Sequence, residues 1–304
     1  MFSEWLWPLR HYSAANHVPY GHQNWNDAAR TAIFYSGPIA LRVIKALAVS
    51  PGFVIPSLPL IAVGLLIFWS LRLHEHRDAR SAHFVLLSAI ISGLLASVIA
   101  TRADIIHFIY LAPLFLLVLA WILGTSDFTS RLLYACRPYL LLYVALAFGL
   151  MAMAMLSSAL GARSTLETRR GTIRSRQPDL LLEYALAHTS PSGSVLVYPY
   201  LPLYYYLTGT LNPSRYDYFQ PGMNTNAQAE QILLSLRSGR VTTVIFEPNF
   251  SEKIPNSWPA TSRSAFAADP LADYIAGNYR ICRALQSVAG WNFLFMVARG
   301  ESCH

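Results

Sequence analysis

Three ionisable residues stand close together at the start of an apolar stretch, and their types suit chemistry on a phosphate ester. Arg102, Asp104 and His107 lie within the sequence TRADIIH (101–107). On a helix, Asp104 and His107 would be three residues apart and would share one face. A guanidinium can hold a phosphate with two hydrogen bonds, and a carboxylate can orient an imidazole for proton transfer. The spacing therefore predicts an anion-binding site that also handles a proton.

The same residues also fit a purely structural role. Ionisable groups at a membrane boundary are costly unless they are paired or reach the interface. In this interpretation Arg102 contacts lipid headgroups, while Asp104 caps a helix and tethers His107. Position along the chain leaves both interpretations open.

Within residues 1–50, a first part rich in aromatic and polar side chains is followed by an amphipathic stretch over 29–48. Rings that stack on sugars and amides that bind hydroxyls suit a saccharide, but membrane interfaces use the same residue types. The candidate substrate-binding residues here are Arg10, Tyr12, Asn16 and Tyr20.

A tyrosine-rich segment (198–223), which includes Tyr204, is a further candidate for substrate binding. It could form a lid over a substrate cavity or a partly buried aromatic cluster. The five arginines of 163–176 could bind anionic headgroups or form a solvated linker.

Metal and cofactor chemistry have little support. His74 and His76 form an H-x-H pair without a further ligand at a suitable spacing, so we predict no metal site and no cofactor. Cys282 and Cys303 could pair if the domain that carries them is extracytoplasmic and their Cα atoms lie within about 7 Å.

The elements that must position these residues follow from composition. The chain is 54% hydrophobic and 13% charged, against a charged fraction of about 25% in soluble domains. Nearly uncharged runs at 51–71, 81–100, 105–124 and 138–160 are each long enough to cross about 30 Å of hydrocarbon. We therefore predict an α-helical transmembrane bundle of four spans, followed by a small α/β soluble domain.

The predicted organisation has four parts. Residues 1–50 form an interfacial segment, 51–160 the transmembrane region, 161–176 a basic linker and 177–304 the α/β domain. Within that domain the patterns predict helices over 178–188, 225–238 and 270–278, strands over 194–199 and 241–248, and a closing hairpin over 279–298. Short-loop arginines place this domain outside the cytoplasm, although the arginines flanking the spans argue for the reverse.

Three segments together resemble the later part of bacterial membrane glycosyltransferases of the GT-C type, relatives of the protein O-mannosyltransferases and the lipid A sugar transferases. These segments are WPLRHYSAANHVPYG (7–21), RADIIH (102–107) and VLVYPYLPLYYYLTGTLNPSRYDYFQPGM (195–223). The resemblance implies a multi-pass protein of the bacterial inner membrane that transfers a sugar from a polyprenyl-phosphate donor to an extracytoplasmic saccharide, lipid or protein acceptor. Nucleic acid is not an expected partner.

The resemblance also implies a catalytic carboxylate, commonly in an Asp-Asp or Asp-Glu pair in an early extracytoplasmic loop. Residues 1–50 contain no such pair, since Asp27 stands alone. The catalytic residues are therefore unknown, and we expect the chain to be the C-terminal portion of a longer enzyme. The alternative is a non-catalytic, membrane-anchored binding or assembly protein.

Overall fold

A computed structural model of the chain describes residues 17–23, 27–73, 80–124, 131–220, 223–252, 258–261, 269–287 and 290–303. The chain divides into two compact units, Met1–Met155 and Leu156–His304. The division falls close to the border that the sequence predicts near residue 160.

The first unit is helical in its described part. Its helices are α1 (Asp27–Phe34), α2 (Ile39–Val49), α3 (Pro51–Leu73), α4 (Arg80–Thr101), α5 (Ile105–Gly124) and α6 (Arg131–Leu160), the last of which continues into the second unit. Helices α3, α4 and α5 pack against one another. Their shared core contains Ile55, Leu58, Leu66, Ile91, Val98, Ala103, Phe108 and Ala112.

The predicted bundle of four membrane spans is wrong. Among the described residues, one helix, Arg137–Leu160, is long and apolar enough to cross a membrane, and a bent pair at the N-terminal side would be a second if both helices counted as one span. At the other predicted spans the described residues give shorter apolar segments, Pro51–Ile61, Leu86–Ala96 and Ile105–Leu114, within the helices α3, α4 and α5. These three helices pack against one another through apolar side chains, so protein covers part of their apolar surface.

Helix α6 differs from α3, α4 and α5 because its apolar side chains remain uncovered. Only 6% of its most apolar window is buried, and Tyr139 and Leu160 are 74% and 76% exposed. The 24 residues of Arg137–Leu160 span about 36 Å at 1.5 Å per residue, which exceeds the hydrocarbon thickness of about 30 Å. Helix α6 therefore has both the length and the surface of a lipid-facing helix.

The second unit combines helices with two sheets. Its elements are β1 (Ser164–Thr168), β2 (Gly171–Ser175), α7 (Leu180–His188), β3 (Val195–Tyr198), α8 (Pro202–Thr208), α9 (Asn226–Arg237), β4 (Thr243–Phe246), α10 (Pro270–Asn278), β5 (Tyr279–Gln286) and β6 (Asn292–Ala298). The helices and strands predicted for the α/β domain are confirmed, with ends that differ by at most two residues. The segment predicted as a basic linker instead forms the antiparallel hairpin β1–β2.

The main sheet has the order β3-β4-β6-β5, with β3 and β4 parallel and the other pairs antiparallel. Strand β3 is buried on both faces. Leu196 and Tyr198 belong to a core with α9 and α10, whereas Val195 and Val197 belong to a core with α7 and α8. This alternation follows the two-residue period of a strand and makes the unit a three-layer α/β structure.

A disulfide joins Cys282 in β5 to Cys303, with 5.5 Å between their Cα atoms. The bond closes a loop with a sequence separation of 21 residues, so it should stabilise the folded state by about 3 kcal/mol through the lost entropy of the unfolded chain.

We expect Cys282→Ser to lower the free energy of unfolding of the second unit by that amount, measured by denaturation with and without a thiol reductant. If reductant lowers the stability of the wild type and the variant equally, the bond does not contribute.

Candidate functional site

The candidate site lies where helix α4 gives way to helix α5. Asp104 stands immediately before α5 and accepts a hydrogen bond from the backbone N–H of His107 at 3.1 Å. Aspartate is favoured at this position because its side chain satisfies a backbone donor that the first turn of a helix leaves without a partner. The cap also brings His107 onto the same side of the helix as Asp104.

Arg102, Asp104 and His107 form one connected group, as their spacing predicts. The Nε atom of Arg102 donates to Oδ2 of Asp104, and both side chains are buried, with exposures of 8% and 2%. The Nδ1 atom of His107 lies 2.6 Å from Oδ1 of Asp104. Both carboxylate oxygens of Asp104 are therefore engaged by side chains that can carry positive charge.

The charge of Asp104 is stabilised within this group. Burial by itself raises the pKa of Asp104, but the hydrogen bonds from Arg102 and His107 and the charge of Arg102 outweigh it, so the pKa lies below its ordinary value. Asp104 is therefore ionised at neutral pH and can hold the imidazole with its proton on Nδ1.

Residues 20–22 contact the junction between α4 and α5 through backbone hydrogen bonds. The backbone N–H of Gly21 donates to the carbonyl of Ala103 at 2.7 Å, and the N–H of Ile105 donates to the carbonyl of His22 at 3.0 Å. Gly21 has a φ of +71°, and a Cβ there would lie 3.3 Å from Pro56. The positive φ favours glycine because other residues rarely adopt it, and a Cβ would also require Pro56 to shift by a few tenths of an ångström.

Tyr20 is held against the same junction. Its hydroxyl donates to the carbonyl of Pro56 at 2.8 Å, and its ring lies 4.8 Å from the ring of Phe108. Of the candidate residues proposed from the N-terminal segment, Tyr20 is the one that the structure describes, and it lies next to the Asp104 site. Arg10, Tyr12 and Asn16 lie outside the described residues.

His107 is the accessible member of the group. Its side chain is 41% exposed, and its ring packs edge-on against Tyr110 at 6.4 Å. Because Nδ1 faces Asp104, Nε2 is the ring nitrogen that can reach a ligand. An imidazole oriented in this way can donate to a phosphate oxygen when protonated and can accept a proton when neutral.

Comparison of the chain with protein-family models, curated proteins and solved structures gives no match. Any assignment of function therefore depends on the geometry of the site.

Tyr204 occupies a core position in the second unit. Its side chain is 4% exposed, and its hydroxyl donates to the carboxylate of Asp179 at 2.8 Å. Burial and the neighbouring charge of Asp179 raise the pKa of Tyr204. Tyr198 and Tyr205 are likewise engaged, through Asp269 and the backbone N–H of Val197. These contacts favour the partly buried cluster over a mobile lid for this part of the segment.

The remaining polar candidates offer no metal site in the part of the chain that the structure describes. No group of three or more His, Cys, Asp or Glu side chains there could hold a metal ion. His74 and His76 lie outside that part. The sequence does not predict the backbone contacts of Gly21 and His22 with residues 103–105, because the HVPYG run (17–21) is typical of a turn but does not indicate which distant segment the turn contacts.

Proposed function

We propose that this chain is part of a membrane glycosyltransferase of the GT-C type, which takes a sugar from a polyprenyl-phosphate donor. The observation that carries the proposal is the connected group of Arg102, Asp104 and His107, in which two buried, paired charges orient one accessible imidazole. A phosphate at the leaving end of a sugar donor needs such a hydrogen-bond donor, because negative charge develops there as the glycosidic bond breaks.

His107 has the central role in this proposal. The acceptor hydroxyl attacks the anomeric carbon, the bond from that carbon to the phosphate oxygen breaks, and the electron pair stays on the phosphate. Nε2 of protonated His107 donates a hydrogen bond to that phosphate, while Asp104 acts as a positioning residue and Arg102 keeps Asp104 ionised. The proton of the acceptor hydroxyl passes to a general base outside the group of Arg102, Asp104 and His107, because Asp104 is engaged by both neighbouring side chains.

Two features of the chain support a protein of the bacterial inner membrane whose second unit lies outside the cytoplasm. Helix α6 is long and apolar enough to anchor the protein in a bilayer, and the disulfide of the second unit suits an oxidising compartment. The arginines after α6 argue for the opposite orientation. One of them, Arg169, is engaged by backbone carbonyls of the folded unit, which weakens that argument.

The test is direct binding of radiolabelled polyprenyl phosphate to the whole chain in detergent. We expect His107→Ala to weaken binding at least tenfold, because a hydrogen bond to a charged group contributes about 1.5–3 kcal/mol. The matched control is His188→Ala, which removes an exposed histidine from the second unit. Equal affinity of the wild type and His107→Ala would refute the proposal.

A non-catalytic, membrane-anchored binding or assembly protein is the second candidate. It is favoured by the lack of an adjacent acidic pair in residues 1–50. This candidate predicts binding of the phosphate lipid by way of His107 but no transfer of labelled sugar from the loaded donor to an acceptor. Turnover that depends on His107 would exclude it.

A further inference from the structure

An aromatic cluster lies at one edge of the main sheet in the second unit. Strands β3 and β4 are parallel and β6 is antiparallel to β4, so the carboxyl ends of β3 and β4 meet the start of β6 at the same edge. Tyr200 follows β3, Phe250 and Trp258 follow β4, and Trp291 precedes β6. In open α/β sheets, ligands bind outside the carboxyl ends of parallel strands.

Tyr200 is the centre of this cluster. Its ring lies 4.5 Å from Tyr218, 5.5 Å from Phe250, and 6.1 Å from both Trp258 and Trp291. The rings thus contact one another through tilted and edge-on pairs, which are the favoured geometries for aromatic side chains. They form a continuous platform, whereas a cage for an organic cation needs rings arranged around an empty centre.

The platform remains accessible. Tyr200, Tyr218, Trp258 and Trp291 are each only partly buried, and Phe250 beneath them is 5% exposed. The main cores of the unit, on the two faces of the sheet, do not include Tyr200, Tyr218 or Trp258. Aromatic side chains grouped at a surface in this way are typical of binding sites.

A buried amide adjoins the platform. Gln220 has no exposed surface, and its Oε1 accepts a hydrogen bond from the hydroxyl of Tyr218 at 2.7 Å. Its Nε2 has no hydrogen-bond partner in the described part of the chain. A buried donor without a partner costs about 1–3 kcal/mol, so such groups are rare unless a ligand or water completes them.

A carboxylate stands at the same edge of the sheet. Glu247 directly follows β4 and is 2% exposed, and its backbone N–H donates to the carbonyl of Tyr198 at 3.0 Å. Glu247 therefore lies at the level at which β3 and β4 end. The five rings of the platform, Gln220 and Glu247 include no lysine or arginine, so these seven described residues do not favour an anionic ligand.

We propose that this edge is a binding site for a neutral oligosaccharide. The C–H faces of a sugar pack on aromatic rings, while its hydroxyls accept from an amide N–H and donate to a carboxylate or a phenol. The site is independent of His107 and of the proposed sugar transfer, since it uses residues of the second unit alone.

The test is binding of a panel of neutral oligosaccharides, with choline as the cationic probe, to the whole chain in a detergent without a sugar headgroup. Isothermal titration should detect at least one neutral oligosaccharide and no choline. We expect Trp258→Ala to weaken that binding at least tenfold, as is usual for a central aromatic contact. The matched control, Tyr206→Ala, removes a tyrosine that is 59% exposed and lies outside the platform, and it should bind like the wild type.

Gln220→Met separates binding from folding. The variant removes a buried donor that has no partner and also the hydrogen bond that Oε1 accepts from Tyr218. Because these two effects on stability oppose each other, the melting temperature should stay within a few degrees of the wild type, while oligosaccharide binding should weaken by about tenfold. His107→Ala should leave oligosaccharide binding unchanged, which distinguishes this site from the proposed donor site. Three results would overturn the inference: no binding across the panel, binding of choline alone, or sugar binding that survives both Trp258→Ala and Gln220→Met.

Discussion

Asp104→Asn should destabilise the first unit by about 3–5 kcal/mol, because it removes one partner of a buried ion pair. Arg102 and Asp104 are both buried and directly bonded. Asparagine keeps the size of the side chain and can still cap helix α5, so the loss reports the missing charge. Thermal or chemical unfolding of the chain in detergent measures it.

The double variant Arg102→Met, Asp104→Asn is the control for this interpretation. Removal of both charges from a buried site is often neutral, because the desolvation of each ion is removed together with their attraction. The double variant should therefore recover most of the stability that Asp104→Asn loses. A loss below about 1 kcal/mol in the single variant, or a larger loss in the double variant, would contradict a paired charge at this site.

The stabilisation of the fold by Asp104 should decrease as the pH is lowered. The folded-state pKa of Asp104 lies below the ordinary value of 3.8, so ionised Asp104 stabilises the fold. This contribution is fully present above the ordinary pKa and is lost as pH falls through the lower folded-state pKa. The gap in stability between the wild type and Asp104→Asn should be constant near neutral pH and should narrow below about pH 4.

Arg169→Ala should destabilise the second unit by about 3 kcal/mol, because the guanidinium of Arg169 donates hydrogen bonds to carbonyls at the ends of two helices. Its Nη1 donates to the carbonyl of Thr208, at the end of α8, and its Nη2 donates to the carbonyls of Leu186 and Thr189, at the end of α7. These are the carbonyls that a helix leaves without internal partners, and a cation there also interacts favourably with the helix dipole. Hydrogen bonds from a charged donor contribute about 1.5–3 kcal/mol each when well made, and partial exposure reduces the sum.

Arg170→Ala is the matched control for Arg169→Ala. Arg170 is the next residue along the hairpin, is exposed, and lies 5.6 Å above the ring of Tyr206. Its loss should cost less than about 1 kcal/mol. Unfolding curves give the stabilities, and amide hydrogen exchange in α7 and α8 should accelerate in Arg169→Ala alone. Equal effects of the two variants would show that Arg169 acts only through its charge.

The arginine-rich segment shows why the sequence misjudged this hairpin. Five arginines within 163–176 favour a solvated linker by composition, yet Thr168-Arg169-Arg170-Gly171 is the turn between β1 and β2. The carbonyls that bind Arg169 lie 17–39 residues further along the chain. No local pattern can reveal a partner at that separation.

The hydrophobic runs of the first unit predict helices but do not indicate what those helices contact. Apolar composition correctly predicts helices over most of 51–160, because the period and length of the runs act locally. It cannot tell whether an apolar side chain faces lipid or another helix. Phe108 and Ile91 are fully buried between helices, whereas Leu160 is 76% exposed, and this difference depends on packing partners.

The sequence by itself determined α7, α9, α10 and the strands β3 to β6 of the second unit, the cap of α5 and the grouping of Arg102, Asp104 and His107, because each depends on residues within one or two turns of the chain. Only the tertiary structure decided that Arg102 is buried while His107 is accessible, that Tyr204 belongs to a core, and that Tyr200, Trp258 and Trp291 meet at one edge of the sheet. Burial and long-range contact are properties of the assembled chain, since they depend on which distant segments exclude water from each side chain.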